Sequence, residues 1–410
     1  MVEIYKKLKG LRKETYLLLL CRMISNISIM ISMLFPMILK NKLDYTSLEI
    51  GNLMLQMSLI NIPGVLISGK LADLINKRYL ILYFDFIIMF CWLGCFLIPE
   101  SSTTVFLYIV ANLFFVMEMP CYDALLSDLT VVKQREKVFS MNYLLGNITA
   151  VFAAFFGGLL FENYLKFAYL ICVINVFISL VINLCFIKDT SKEESNDTLL
   201  NLNQDLKQEN LSTFQVLLKR PIVILALVCN VGAGILYTQM NLLMPLNMEF
   251  LYGSSGASLF GMLLTFNSLL VIITTPLISV VFKKIQDVKK ILIGEVFIVI
   301  GFGFYIFIQG VIPWYFVAMF ALTIGEVFAA INQKSYLSKR IPAAHRGRII
   351  SIGLISCQIC EAFFQKLMGL LIESFSFRIC WIIVSSIGLF VIVLHILLNI
   401  FDKKHVKVYN

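Results

Sequence analysis

Twelve long apolar stretches run through this chain, and its basic residues sit almost entirely in every second gap between them. The N-terminal segment holds Lys6, Lys7, Lys9, Arg12 and Lys13, and the next gap of the set holds Lys70, Lys77 and Arg78. The alternation continues through Lys133, Arg135 and Lys137, then 188–220, then Lys283 to Lys290, then Lys334 to Arg348, and ends at Lys403, Lys404 and Lys407. Of the 34 Lys and Arg residues, only Lys40, Lys42, Lys166 and Arg378 fall in the other gaps, while Arg22 and Lys366 lie inside stretches. Lys and Arg accumulate on the cytoplasmic side of membrane proteins. The pattern therefore predicts an even number of membrane spans with both termini in the cytoplasm.

Composition narrows the choice. The chain has 410 residues, 59% hydrophobic and 14% charged, against about 25% charged in soluble domains. A spanning helix takes about 20 apolar residues, so twelve spans leave little chain for a soluble catalytic domain. The net charge of +9 is spread over seven segments on one side, which speaks for orientation in the bilayer and against a nucleic-acid patch. The ten Cys lie mostly in apolar stretches, where Cys behaves as a small hydrophobe. Cys357 and Cys360 form a CxxC without a second Cys pair or His at ligand spacing, so no metal site is expected. No phosphate-binding GxxxxGK[ST] loop occurs, so neither nucleotide nor other cofactor is expected. The first apolar run is full length, holds Arg22 and lacks a small-residue cleavage site, so it reads as a span and not a cleaved leader.

The spans are predicted at 15–39, 48–69, 79–99, 103–126, 138–161, 166–187, 221–246, 256–282, 291–309, 313–336, 349–373 and 377–400. The one long connection divides them six and six. This predicts a half at 1–187, a cytoplasmic linker at 188–220 and a second half at 221–410. Within the linker, 189–197 reads as solvated chain, and 211–218 has helical apolar spacing suited to a membrane surface. The halves repeat each other weakly. Phe35-Pro36 matches Met244-Pro245, Gly51 matches Gly261, Lys77-Arg78 matches Lys289-Lys290, and Arg135 and Ser140 match Arg346 and Ser351. Offsets near 210 at corresponding span ends argue for duplication, an architecture of transporters whose substrate site lies between the halves.

The loop after the second span reads Gly69-Lys-Leu-Ala-Asp73-Leu-Ile-Asn76-Lys77-Arg78. It resembles the signature loop of the major facilitator superfamily, with Leu74 in place of a usual basic residue and Asn76 in place of the second glycine. Asn tolerates a left-handed turn, so such a turn is expected at Asn76. The resemblance implies that Gly69, Asp73, Lys77 and Arg78, with Asp128 and Arg135 of the next loop on this side, form a conformational latch. Asp73 would face the positive N-terminal end of span eleven, expected near 348–350. The run Asp128-x6-Arg135-x4-Ser140-x-Asn142 is similar to drug exporters of that superfamily, several of which carry an acid where this chain has Asn142. Gly157-Gly158 resembles the end of the antiporter glycine motif, with Ala153 and Ala154 where Gly and Pro would stand. Thr323-Ile324-Gly325-Glu326 resembles the T-x-G-E run of proton-coupled multidrug exporters. The superfamily resemblance covers nearly the whole chain. It implies an all-α membrane protein of twelve transmembrane helices in two pseudo-symmetric six-helix halves.

Ionisable residues inside spans are expensive and mark functional sites. Arg22 and Glu118 fall roughly 10 Å and 12–15 Å from the cytoplasmic ends of spans one and four, which makes an Arg22–Glu118 pair plausible. Glu326 and Glu361 come out at about 15 and 18 Å, with Lys366 further out. These five are the predicted proton and substrate residues. Asp85, Asp123 and Glu295 fall nearer the ends and read as interface charges. The resulting expectation is a secondary transporter of the cell membrane, acting as a monomer and driven by the proton gradient. It would export apolar or amphiphilic drug-like molecules by alternating access. Uptake of a nutrient by the same fold is the alternative, and a multispan enzyme is disfavoured because no His, Cys and Asp cluster stands at one interface. With 3 Trp against 34 Phe and 17 Met, the chain suits varied apolar ligands better than sugars.

Overall fold

A computed structural model describes residues 11–187, 213–308, 310–341 and 343–409. Among the described residues, twelve helices are long and apolar enough to cross a membrane. They are α1 Lys13–Leu43, α2 Ser47–Leu74, α3 Lys77–Leu97, α4 Ser102–Asp128, α5 Val132–Leu160 and α6 Leu165–Phe186, then α7 Pro221–Tyr252, α8 Gly256–Val281, α9 Asp287–Phe307, α10 Ile312–Arg340, α11 Ala343–Ser374 and α12 Phe377–Tyr409. The protein is an all-α membrane protein with two pseudo-symmetric six-helix halves. Several helices outrun their predicted spans at the basic ends. Hydropathy stops at the first Lys or Arg, but these residues are good helix formers and their heads reach water beyond the apolar zone. For this reason α11 begins at Ala343 and not near 348.

Two helices are interrupted where the sequence showed only apolar runs. A turn of 3₁₀ helix at Asn26–Ser28 divides α1, and another at Thr238–Met240 divides α7. Short polar side chains compete for backbone groups inside helices. In α7 both the Thr238 hydroxyl and the Gln239 amide donate to the Ile235 carbonyl, at 2.9 and 3.0 Å. Pro36 and Pro245 follow each break and remove a further amide donor. The interruptions stand 212 residues apart, in line with the repeat.

The described chain groups into two compact units. The first holds α1, α3 to α6, α2 from Met57 onward, and α8 as far as Ser268. In it α3 packs on α4 and α6, and α1 packs on α6 and α5. The second holds Thr46–Gln56 at the start of α2, α7, the rest of α8, and α9 to α12. In it α9 packs on α10 and α12, and α7 packs on α12 and α11. Each packing pair recurs six helices later. A short helix, Thr213–Leu218, precedes α7. Its Val216 and Leu217 are buried in the apolar cluster around Val223, Tyr336 and Ile349, while Leu218 is exposed. The rest of the predicted linker, 188–212, lies outside the described residues.

Small residues set the closest helix approaches, as is usual in membranes. A methyl group on Gly261 of α8 would lie 2.6 Å from the Ala154 carbonyl and 2.9 Å from Gly158 Cα of α5. One on Gly51 of α2 would lie 2.9 Å from the Gln365 carbonyl and 3.2 Å from Gly369 Cα of α11. The two crossings are repeat-related: Gly51 corresponds to Gly261, and Gly158 to Gly369. In the T-x-G-E run, Gly325 of α10 meets the Gly294 main chain of α9 in the same manner.

Candidate functional site

In the first unit α1, α3, α4 and α6 gather charged and hydroxyl groups in an otherwise apolar interior. Arg22 leaves α1 with Nη2 at 2.7 Å from Met119 Sδ and 3.9 Å from Asp123 Oδ1, and its guanidinium stands 5.0 Å from the Tyr122 ring centroid. Arg22 thus meets Asp123, and the expected direct contact with Glu118 is not made. The reason is helical periodicity. Met119 and Asp123 are four apart and share the α4 face turned to Arg22, Tyr122 stands beside that face under the guanidinium, and Glu118 is carried round toward α3. There Glu118, 3% exposed, comes within hydrogen-bonding reach of Asp85 on α3, which is 0% exposed. The Ser179 hydroxyl of α6 donates to Asp85 Oδ2 at 3.5 Å and lies 3.4 Å from the Tyr122 hydroxyl. Asp85 is therefore a buried partner and not an interface charge. Its repeat counterpart Glu295 on α9 is also no interface charge: it is 0% exposed, with neither side-chain oxygen hydrogen-bonded among the described residues.

The second unit builds a different arrangement around the break in α7. Tyr237, at the end of the first α7 segment, donates its hydroxyl to Glu326 Oε1 of α10 at 3.0 Å. One turn earlier, Gly234 leaves the space that Glu361 and Cys357 of α11 occupy. There the Cys357 thiol donates to Glu361 Oε1 at 2.9 Å. Glu326 and Glu361 are thus both tied to α7, and both are half-buried. Lys366, further along α11, is exposed.

The residues expected to form a latch lie at the basic ends. Lys77 Nζ of α3 pairs with Asp128 Oδ2 of α4 at 2.9 Å. The Arg78 guanidinium donates to the Asn183 and Leu184 carbonyls at 3.1 and 2.7 Å, closing the C-terminal end of α6. Asn76 has φ −56° and accepts from the Arg78 amide at 3.0 Å, so it is the N-cap of α3 and not a left-handed turn. Gly69 has open space beside it. Arg135 sits half-buried in the first turn of α5. The side chain of Asp73 lies outside the described residues. At the equivalent place in the second unit, Lys339 Nζ pairs with Asp287 Oδ2 at 2.6 Å.

Sequence reasoning did not pick out Asp85, Tyr122, Ser179 or Tyr237 for this role. Asp85 carried the signal of a charge within a span. Tyr122 carried only its place four residues after Glu118, and nothing marked Ser179 or Tyr237.

A sequence model described as Major Facilitator Superfamily matches residues 17–365. A Na(+), Li(+), K(+)/H(+) antiporter of Planococcus maritimus is 24% identical over 330 residues, which cover 73% of this chain and 75% of that protein. Among solved structures, the peptide transporter POT in complex with sulfate aligns with a TM-score of 0.77 at 15% identity, over 97% of this chain and 96% of that one. The POT family transporter PepTSo aligns with a TM-score of 0.76 at 13% identity, over 96% and 98%. Likeness at this level of identity speaks for the fold alone.

Proposed function

The chain belongs to the major facilitator superfamily, and from that premise we propose that it is a proton-coupled antiporter exporting apolar or amphiphilic small molecules across the cell membrane. Both termini face the cytoplasm in this reading, following the basic gaps. The observation that carries it is the Glu326 carboxylate, half-buried in α10 and held by the Tyr237 hydroxyl at 3.0 Å. A carboxylate at this depth, held by a phenol from an interrupted helix, can take a proton and release it as that helix shifts. The Phe and Met content supports an apolar cargo. Uptake of a nutrient by the same fold would reverse the direction of net flux.

The Planococcus relative favours a second reading, in which the exported species is a monovalent cation. One experiment separates these readings. Energised inverted vesicles are loaded with a dye substrate or with sodium, with and without an uncoupler. Uncoupler-sensitive accumulation of dye supports the main reading, and accumulation of sodium alone supports the second. Accumulation of neither, or passage unaffected by the uncoupler, removes proton-driven export.

A further inference from the structure

The first unit holds a polar centre that the Glu326 reading does not use. Asp85 and Glu118 lie within hydrogen-bonding reach of each other on α3 and α4, at 0% and 3% exposure. Each keeps one oxygen, Asp85 Oδ1 and Glu118 Oε1, buried without a hydrogen-bond partner. Two hydroxyls complete the setting, Ser179 against Asp85 at 3.5 Å and Tyr122 against Ser179 at 3.4 Å.

Two ionised carboxylates side by side in a dry interior repel each other and lack the water that would support them. A carboxyl–carboxyl hydrogen bond needs a proton between the oxygens, since ionised carboxylates only accept. The remaining charged and titratable groups around the pair are few. α1 contributes Arg22 and the Cys21 thiol, α4 contributes the Cys121 thiol, Tyr122 and Asp123, and α6 contributes Ser179. Arg22 is drawn to Asp123, whose side chain is 52% exposed, so it offsets the pair only in part. A negative charge is left over, in a nest of oxygen atoms with two unused acceptors. Hard oxygen donors of this kind suit a proton or a small alkali ion.

We infer that Asp85 and Glu118, backed by Ser179 and Tyr122, bind one exchangeable monovalent cation, a proton or an alkali ion, inside the first unit. The site is separate from Glu326. When loaded, the cation bridges α3 and α4. When empty, the two carboxylates push those helices apart, so loading and helix packing are linked.

The test uses the purified full-length protein in detergent, in a weakly buffered solution with a pH-indicating dye. Sodium, lithium or potassium chloride is added against choline chloride at equal ionic strength. Wild type is expected to release about one proton per chain, because two facing buried carboxylates hold one proton between them. Asp85→Asn, Glu118→Gln and the double variant should lose the release. Glu162→Gln, in the turn after α5, should keep it. The double variant replaces the pair with two amides able to hydrogen-bond each other, so it is the variant to rely on if a single one misfolds. A second readout is the infrared band of a protonated carboxyl across a pH titration. Release by an alkali ion that the double variant abolishes assigns both ions to the pair. No release, but a titrating carboxyl band missing from the double variant, assigns the proton alone. A release and a band that both persist in the double variant, or that wild type lacks, would overturn the inference. No cargo is needed, so the outcome is independent of whether dye export succeeds.

Discussion

Asp287 at the start of α9 accepts from the Lys339 ammonium at the end of α10 at 2.6 Å, in the place where α3 and α4 join Lys77 to Asp128 with the signs exchanged. Asp287 lies 210 residues after Lys77, and Lys339 lies 211 after Asp128. The exchange matters because helix ends are themselves charged. An acid at a helix N-terminus and a base at a C-terminus are each favoured by about 0.3–1 kcal/mol, and the reverse is disfavoured. The second unit's pair works with its helix dipoles, and the first unit's pair works against them.

This ordering predicts unequal losses. Asp287 is 18% exposed and also accepts from the Ser335 hydroxyl at 3.0 Å. Asp287→Asn is therefore expected to destabilise by about 1.5–3 kcal/mol, the range for hydrogen bonds to charged groups. Asp128→Asn, at a 45% exposed side chain, should fall within about 0.5 kcal/mol. Thermal unfolding of the two variants in one detergent measures this, and equal losses would refute the dipole argument.

Glu326→Gln should abolish uncoupler-sensitive export while leaving folding and membrane insertion intact, because Gln keeps the size and the Tyr237 contact but carries no exchangeable proton. Tyr237→Phe should retain export and move its pH dependence, since it removes only the hydroxyl at 3.0 Å. Vesicle export measured across pH decides, and active export by Glu326→Gln would remove this carboxylate from the mechanism.

Gly261→Ala places a methyl 2.6 Å from a main-chain oxygen, so α5 and α8 must separate. Overpacking of this kind costs about 1–3 kcal/mol. Gly303→Ala, on α9 with open space around it, should be neutral or stabilising by up to about 1 kcal/mol through helix propensity. Melting temperatures of the two variants are the check.

At the end of α10, Arg340 donates to Asp402 of α12 through Nε at 2.7 Å and Nη2 at 2.5 Å, and Tyr336 adds a bond to the same carboxylate at 3.1 Å. Lys cannot reproduce this two-pronged geometry. Arg340→Lys is expected to lose about 1.5–3 kcal/mol, read as earlier exposure of α12 to protease. Wild-type resistance to protease would show that the fork is dispensable.

Much of the fold was legible because the bilayer demands long apolar runs and the gaps carry a charge code. The breaks in α1 and α7 were not, since Asn26, Ser28, Thr238 and Gln239 are short polar residues within runs whose average stays apolar. Charge type set Lys77 opposite Lys289, while the contacts set it opposite Asp287, two residues away. That slip arises because duplication preserved the pairing and not the sign. Glu326 was legible from a motif. The Asp85–Glu118 meeting was not, because depth along a helix can be counted from sequence but the face that a neighbouring helix presents cannot.

The glycine crossings at Gly51 with Gly369 and Gly158 with Gly261 have a mechanical meaning. Main chain seated on main chain has no rotamers to adjust and no side chain to stretch, so the contact is either engaged or parted. It behaves as a two-position catch and not as a graded spring. Duplication supplies the catch twice, with glycine on both faces each time, and the tolerance of each is smaller than one methyl group.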